Sequence, residues 1–272
     1  MRWQSRIIGL LLTLGVTARL LWFFYDPSLW NDEAALVNSI VRYGPFRLIA
    51  RPLDGLQIAP PGYLLLEKLT GGLGGYSEAS LRVVSLVCGI VALALFIVLA
   101  RSWLSGWGRV AAIALFSLSG PLIYHSSEAK QYEAAVLVTI LLLVIAFRWR
   151  TQWSPVRALA AGVLGMIGIL LASTAIFVLV GAFGVLALDF LFTRRWRQAA
   201  YVGTGLALAG GAFLLEYVLL FRHNPNVQVM NAYWAPHFAP LPLSAADLRW
   251  YVRTGFFALI TPLGLSLDLL TF

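Results

Sequence analysis

Charged residues are scarce in this sequence: Asp, Glu, Lys and Arg make up 12% of its 272 residues, whereas a soluble domain carries about 25%. Hydrophobic residues make up 60% of the chain, and the mean hydropathy is +0.81. These values exclude an ordinary soluble protein. They predict an all-α integral membrane protein whose residues 1–272 form one helical domain.

Several chemical signatures are also missing. The single cysteine, Cys88, lies in an apolar run, which excludes a disulfide framework and a cysteine metal site. The sequence has no phosphate-binding glycine loop, no Ser–His–Asp pattern and no nucleotide fingerprint. Its basic, apolar N-terminus has no clear small-residue cleavage site, and Arg19 interrupts the run, so an uncleaved membrane helix is predicted.

The apolar residues fall into seven runs that predict about seven transmembrane helices. These runs are 6–24, 80–100, 109–124, 131–147, 157–172, 174–192 and 199–221. The fifth and sixth runs together are too long for one span. They therefore predict a tight hairpin, with Ser173 and Thr174 at its turn.

The placement of charge predicts the orientation of the chain. A net charge of +8 favours nucleic-acid binding in a soluble protein, but in a membrane protein the distribution matters more. An inside N-terminus puts ten basic residues on the inner side: Arg2, Arg6, Arg101, Arg109, Arg148, Arg150, Arg157, Arg194, Arg195 and Arg197. The outer acids are then Asp26, Asp32, Glu33, Asp54, Glu67, Glu78, Glu128 and Asp247. A multi-pass protein of the bacterial inner (plasma) membrane is predicted, with the N-terminus cytoplasmic.

Two long connecting segments are predicted on the outer face, the first connecting segment (25–79) and the fourth (222–248). In the first, Asn31 is a good helix N-cap, and an apolar stripe predicts an amphipathic helix on the membrane surface. That stripe comprises Leu36, Val37, Ile40 and Val41, and "YGP" ends it. Asp32 leans toward the stripe, where a lipid head group would lie.

Further helix starts are signalled by proline and by capping patterns. Pro61 is expected in the first turn of a second short helix in the first connecting segment. "SAAD" at 244–247 predicts a helix from 245 to about 260. The chain then stops at Phe272 inside an apolar stretch, from which we expect a truncated chain, or else a short natural form.

The adjacent acids Asp32 and Glu33 have two readings. They can complement the positive start of a helix, or they can carry out chemistry. One acid is sufficient for the first role, which favours a functional role for the pair. "SSEAKQYEAAVL" places Glu128, Lys130 and Tyr132 in the second connecting segment (124–132). There they form either a solvated helix start with an interfacial tyrosine or a phosphate or metal contact, with Glu128 and Tyr132 on one helical face.

Basic and histidine residues on the outer side are further candidates. They either pair with outer acids or bind the phosphate of a lipid: Arg47, Arg51, Lys68 and Arg82. The three histidines lack a metal-ligand spacing, and His223 and His237 are candidates for acceptor contacts. Glu216 lies deep in the seventh run and should face a partner or a cavity.

Taken in order, these features resemble the GT-C membrane glycosyltransferases, specifically protein-mannosyltransferase-like, aminoarabinose-transferase-like and rhizobial core-sugar-transferase-like enzymes. The resemblance covers about residues 5–221. It rests on "WNDEA" after the first helix, on "APPGYLLLEKLTGGLGGYSEASLR", on "SSEAKQYEAAVL" and on large first and fourth outer loops. The sequence departs from the family at Lys130–Gln131, where the family has Arg-Pro, and at Gln57 and Ile58, where many relatives have a basic residue or His.

The resemblance implies transfer of a sugar from a polyprenyl phosphate to the hydroxyl of a protein, glycan or lipid, usually with inversion. Asp32 matches the general base, with Glu33 as its catalytic companion. The donor phosphate would be bound by Arg51, Arg82, Lys130 and Tyr132, or by a divalent cation such as Mg²⁺ or Mn²⁺ on Glu33 and Glu128. Two alternatives remain open: a transporter or flippase of a lipid-linked sugar, and a non-catalytic membrane fragment or assembly subunit.

Overall fold

The structure, a computed structural model, describes residues 2–25 and 28–260, and every regular element in those residues is helical. The helices in order are α1 (Arg2–Tyr25), α2 (Asn31–Arg42), α3 (Pro45–Ala50), α4 (Pro61–Leu73), α5 (Glu78–Trp103), α6 (Gly106–Ser117), α7 (Gly120–His125), α8 (Tyr132–Arg148), α9 (Pro155–Leu171), α10 (Ala175–Val178), α11 (Gly184–Phe192), α12 (Trp196–Glu216), α13 (Pro225–Trp234) and α14 (Ala245–Ile260). π-Helical turns join α10 to α11 (Leu179–Phe183) and extend α12 (Tyr217–Phe221), and 3₁₀ turns form at Asp54–Leu56 and Ala235–His237.

Four helices in the described residues are long and apolar enough to cross a membrane: Trp3–Tyr25, Glu78–Trp103, Ala175–Phe192 and Trp196–Phe221. The all-α membrane class is therefore supported, whereas the predicted count of seven spans is not confirmed. α8 and α9 have only 17 residues each. The third predicted run is broken between Ser117 and Gly120, because Pro121 lacks a backbone N–H and starts a new helix.

The predicted break in the long apolar stretch is present. α9 ends at Leu171, Ala172 has an extended backbone (φ −155°, ψ 97°), and the next helix begins at Ala175. The Ser173 hydroxyl in this break donates a hydrogen bond of 2.9 Å to Glu216 Oε1 on α12. This contact supplies the partner that the buried Glu216 required.

Helix α2 differs from the predicted surface helix. Its residues Leu36, Val37 and Ile40 are buried in a core with side chains of α4 and α5, and only Val41 of the predicted stripe is exposed. The stripe therefore faces protein and not lipid. Asn31 is the first helical residue and not the cap, because the residue before the helix is Trp30.

The other predicted helix starts are confirmed. Pro61 is the first residue of α4, and α14 runs from Ala245 to Ile260. Ser244 and Asp247 cap α14 reciprocally: the Ser244 N–H donates to Asp247 Oδ2 (2.8 Å) and the Asp247 N–H to Ser244 Oγ (3.2 Å). Asp26 and the stretch 261–272 lie outside the described residues.

Candidate functional site

An ion pair joins the first and second connecting segments. Lys130 Nζ lies 3.0 Å from Asp32 Oδ2 and donates a hydrogen bond of 2.5 Å to Gln57 Oε1. The lysine side chain is 5% exposed, whereas that of Asp32 is 45% exposed. The structure thus brings together two of the predicted site residues, with a buried cation against an accessible carboxylate. Gln57, which the sequence marked only as a departure from the family, is the third member.

Glu33 joins two backbone segments, at Trp30 and at Ala129, by hydrogen bonds, and we call this arrangement the clamp. Its Oε2 accepts a hydrogen bond from the Trp30 N–H (2.9 Å), and its Oε1 accepts one from the Ala129 N–H (2.8 Å). The side chain is 3% exposed, and burial raises the pKa of its carboxyl, opposed by these backbone bonds and by Arg82. The structure does not support the predicted catalytic and metal roles for Glu33, because both oxygens are already occupied inside the protein.

Arg82 supports the same clamp. Its guanidinium is 1% exposed and lies 3.8 Å from Glu33 Oε1 and 3.5 Å from Glu78 Oε2. A buried guanidinium that already faces two carboxylates is not open to the phosphate of a lipid. The structure therefore gives Arg82 a structural role in place of the predicted donor-binding role.

Glu128 does not lie on the helix that the sequence predicted for it. Residues 126–131 are non-helical, and α8 begins only at Tyr132, so Glu128 and Tyr132 are not successive turns of one helix. The Glu128 carboxylate is bound to His125 Nδ1 and is 7% exposed. Within the described residues, no three His, Cys, Asp or Glu side chains cluster to hold a metal ion. The donor set therefore does not fit a divalent cation on Glu33 and Glu128.

Arg51 and Gln57 line one pocket. Arg51 is exposed at the end of α3, and the pocket is a small one at the surface. The other polar side chains in the pocket wall are Gln57 and Asn224, and the apolar ones include Leu220 and Phe221. Gln57 therefore contacts Lys130 and also borders the pocket that holds Arg51.

The fourth connecting segment docks onto the first through Asn226 on α13. Its amide Nδ2 donates to the backbone oxygens of Leu53 (2.8 Å) and Gln57 (3.0 Å), and Asn226 is 6% exposed. Sequence reasoning missed this residue. A polar Asn in a proline-rich loop was the only available signal. The predicted acceptor residues His223 and His237 are exposed, and no contact among the described residues joins them to Asp32.

A second buried carboxyl lies beneath the site on α4. Tyr63 OH donates a hydrogen bond of 2.6 Å to Glu67 Oε1, and both side chains are fully buried. Burial raises the pKa of Glu67 to about 8, opposed by the Tyr63 hydrogen bond and reinforced by the charge of Glu33. Glu67 is therefore largely protonated at neutral pH. Of the two other predicted basic residues, Lys68 donates to the Ile40 backbone oxygen (2.7 Å), and Arg47 lies over the Tyr43 ring, 3.9 Å from its centroid.

Arg19 joins two helices inside the protein. This fully buried guanidinium on α1 donates from Nη1 to the backbone oxygens of Gly15 (3.0 Å) and Ser117 (3.1 Å), tying α1 to the end of α6. The absence of a side chain on Gly89, beside this group, allows Ser126 and Glu133 to approach α5 closely. A Cβ there would lie 3.0 Å from Ser126 Cβ and 3.2 Å from Glu133 Oε2. Comparisons with protein-family models and with curated proteins gave no match, so function is argued from this geometry.

Proposed function

We propose that this protein is a glycosyltransferase that moves a sugar from a polyprenyl-phosphate donor to an acceptor hydroxyl at the outer face of the membrane. The observation that carries the proposal is the 3.0 Å contact between Lys130 Nζ and Asp32 Oδ2. It joins the two motifs that resemble GT-C enzymes, although they are far apart in the sequence.

Asp32 is the general base in this reaction. Lys130 holds the carboxylate through Oδ2, and the 45% exposure of the side chain leaves it open to an acceptor. The acceptor oxygen attacks the anomeric carbon while its proton passes to Asp32. The bond between the anomeric carbon and the phosphate oxygen breaks, and its electron pair leaves with the polyprenyl phosphate. A positioned base of this kind contributes about 10²–10⁴-fold to the rate.

The cations of the site stabilise the leaving phosphate. Lys130 lies beside the base, held by Asp32 and Gln57, and Arg51 lines the pocket that Gln57 borders. The exposed Arg51 can form charge-assisted hydrogen bonds with phosphate oxygens, which is where negative charge develops as the bond breaks, and the buried Lys130 contributes its positive charge. No step in this scheme requires a metal ion.

The position of the pocket suits a lipid-linked donor. Leu220 and Phe221 in its wall belong to the end of the apolar helix Trp196–Phe221, one of the four candidate spans. A phosphate at Arg51 would therefore have its hydrocarbon chain beside a membrane helix. The acceptor would be a glycan, lipid or protein that reaches the exposed side of Asp32.

Transfer by the purified protein tests the proposal. The protein would be reconstituted with radiolabelled undecaprenyl-phosphate sugars and a panel of glycan, lipid and peptide acceptors. We expect transfer by the wild type and a loss of about 10²–10⁴-fold in Asp32→Asn. Asp189→Asn, which changes an exposed acid on α11, is the matched control and should retain activity.

Two results would count against the proposal. Sugar transfer by Asp32→Asn at the wild-type rate would contradict the assignment of Asp32 as the general base. Movement of the labelled lipid-linked sugar across the vesicle membrane, without transfer to any acceptor, would instead identify a flippase.

A further inference from the structure

Five aromatic rings form a continuous row beside the Asp32–Lys130 ion pair. Centroid distances along the row are 5.5 Å for Tyr25–Trp22, 6.2 Å for Trp22–Tyr124, 5.4 Å for Tyr124–His125 and 4.9 Å for His125–Tyr132. The rings come from three helices, α1, α7 and α8. The row therefore forms only in the tertiary structure. We call these five rings the aromatic row.

The rings of the aromatic row are partly exposed at the protein surface, and carboxylates lie near them. Tyr25 is 71% exposed, Tyr124 40% and Tyr132 42%, which leaves ring surface available to a ligand. Asp32 is close enough to Tyr132 and Tyr124 to act on both electrostatically. The buried Glu128 carboxylate binds the His125 ring, the fourth of the five. The row therefore combines apolar ring faces with one nearby exposed carboxylate, that of Asp32.

This combination matches the surface of a pyranose ring. One face of many sugars presents C–H groups whose partial positive charge is attracted to the negative face of an aromatic ring. The hydroxyl groups around the sugar edge donate hydrogen bonds, and a carboxylate is a strong acceptor for them.

The position of the row also separates it from an ordinary interfacial belt. Tyrosine and tryptophan in such a belt serve to anchor helices at the level of the lipid head groups. Here the rings contact one another across three helices, and the row ends at Tyr132, two residues along the chain from Lys130 of the ion pair. Phe24, the neighbour of Tyr25 at the same helix end, is 75% exposed and forms no ring contact with the row.

We propose that the aromatic row binds the pyranose ring of the transferred sugar, with the exposed carboxylate of Asp32 at the edge of the bound ring. The inference rests on the proposed glycosyltransferase function and names the subsite that recognises the sugar. It assigns Trp22, Tyr124 and Tyr132 to substrate binding.

Binding, measured separately from transfer, tests the inference. The affinity of the reconstituted protein would be compared for undecaprenyl phosphate carrying glucose or mannose and for undecaprenyl phosphate alone. The ratio of the affinity for a sugar-linked lipid to the affinity for undecaprenyl phosphate alone measures how much the sugar contributes to binding. We expect Trp22→Ala and Tyr132→Ala each to reduce this ratio about fivefold. Tyr132→Phe retains the ring and should retain the ratio, and Phe24→Ala is the matched control.

Three outcomes would overturn the sugar assignment. The wild type could bind neither sugar-linked lipid better than the bare lipid phosphate. The ratio could be unchanged in both alanine variants. Alternatively, the alanine variants could weaken binding of all three lipids equally, which would show that the rings bind the lipid head group.

Transfer by the same variants separates this inference from the proposed function. The protein could prefer the sugar-linked lipid in a way that depends on the rings and yet transfer no sugar. This result would support the sugar subsite and contradict the proposed glycosyltransferase activity. Alternatively, sugar transfer could depend on Asp32 and be unchanged in the ring variants. This result would support the glycosyltransferase activity and contradict the sugar subsite.

Discussion

The Glu33 carboxylate accepts a hydrogen bond of 2.8 Å from the backbone N–H of Ala129, 96 residues further along the chain. Each partner is adjacent in sequence to one member of the ion pair, since Asp32 precedes Glu33 and Lys130 follows Ala129. The clamp therefore fixes the register between the first and second connecting segments. With the register fixed, Asp32 and Lys130 meet at 3.0 Å.

Replacement of Glu33 should destabilise the protein. Glu33→Gln loses the ion pair with Arg82 and puts an amide donor against a backbone N–H, so we expect a loss of about 2 kcal/mol in the free energy of unfolding. Glu33→Ala removes the buried partner of Arg82 and also leaves the Trp30 and Ala129 N–H groups without their acceptor, and it should cost about 3–5 kcal/mol. Reversible unfolding in detergent measures both.

A matched control exists because Arg82 also faces an exposed acid. Glu78 lies 3.5 Å from the same guanidinium, but its side chain is 42% exposed. Glu78→Gln should therefore cost less than about 1 kcal/mol. Equal losses of unfolding free energy in Glu33→Gln and Glu78→Gln would show that Glu33 does not hold the two segments together.

The buried carboxyl of Glu67 should make stability depend on pH. Its pKa is raised from an ordinary value of 4.5 to about 8, so the folded state holds the proton more tightly than the unfolded state. This contribution is fully present below about pH 4.5 and is lost as pH rises through about 8. Glu67→Gln accepts the same Tyr63 hydrogen bond and cannot ionise.

The comparison of wild type with Glu67→Gln isolates this effect from other titrating groups. We expect similar melting temperatures at pH 5 and a higher melting temperature for Glu67→Gln at pH 8.5, by an amount equivalent to at most a few kcal/mol. Parallel pH curves for the two proteins would contradict the raised pKa of Glu67.

Loss of the Asn226 amide should release the fourth connecting segment. Asn226→Ala removes both hydrogen bonds to the Leu53 and Gln57 carbonyls and leaves those oxygens without their donor. We expect faster hydrogen exchange in α13 and in residues 53–57, with little change in the span helices. Asn231→Ala changes an exposed residue on the same helix and is the control. Identical exchange in the two variants would contradict the docking role.

Local signals in the sequence predicted local structure well. Pro61 and the Ser244–Asp247 pair marked helix starts because their chemistry acts within one turn. The resemblance also predicted that Asp32 and Lys130 belong to one site, and the structure brings them together. That prediction relied on a family pattern, because periodicity carries no information about contacts between distant segments.

The role of each charged residue was harder to predict. Glu33 and Arg82 are adjacent to functional-looking motifs, but their burial depends on packing among α2, α4 and α5. The apolar stripe of α2 has the same spacing whether it faces lipid or protein. Only the tertiary structure distinguishes the exposed carboxylate of Asp32 from the buried, structural carboxylate of Glu33 beside it.

Main-chain atoms are the partners in the bonds that align the segments around Asp32. Glu33 binds the amides of Trp30 and Ala129, and Asn226 binds the carbonyls of Leu53 and Gln57. Every residue type supplies a carbonyl, and all but proline supply an N–H. Relatives of this chain can therefore vary the side chains at the receiving positions, whereas insertions or deletions within 30–57 or 126–130 would shift the alignment. Conservation of loop length, more than of residue identity, should mark this architecture in distant sequences.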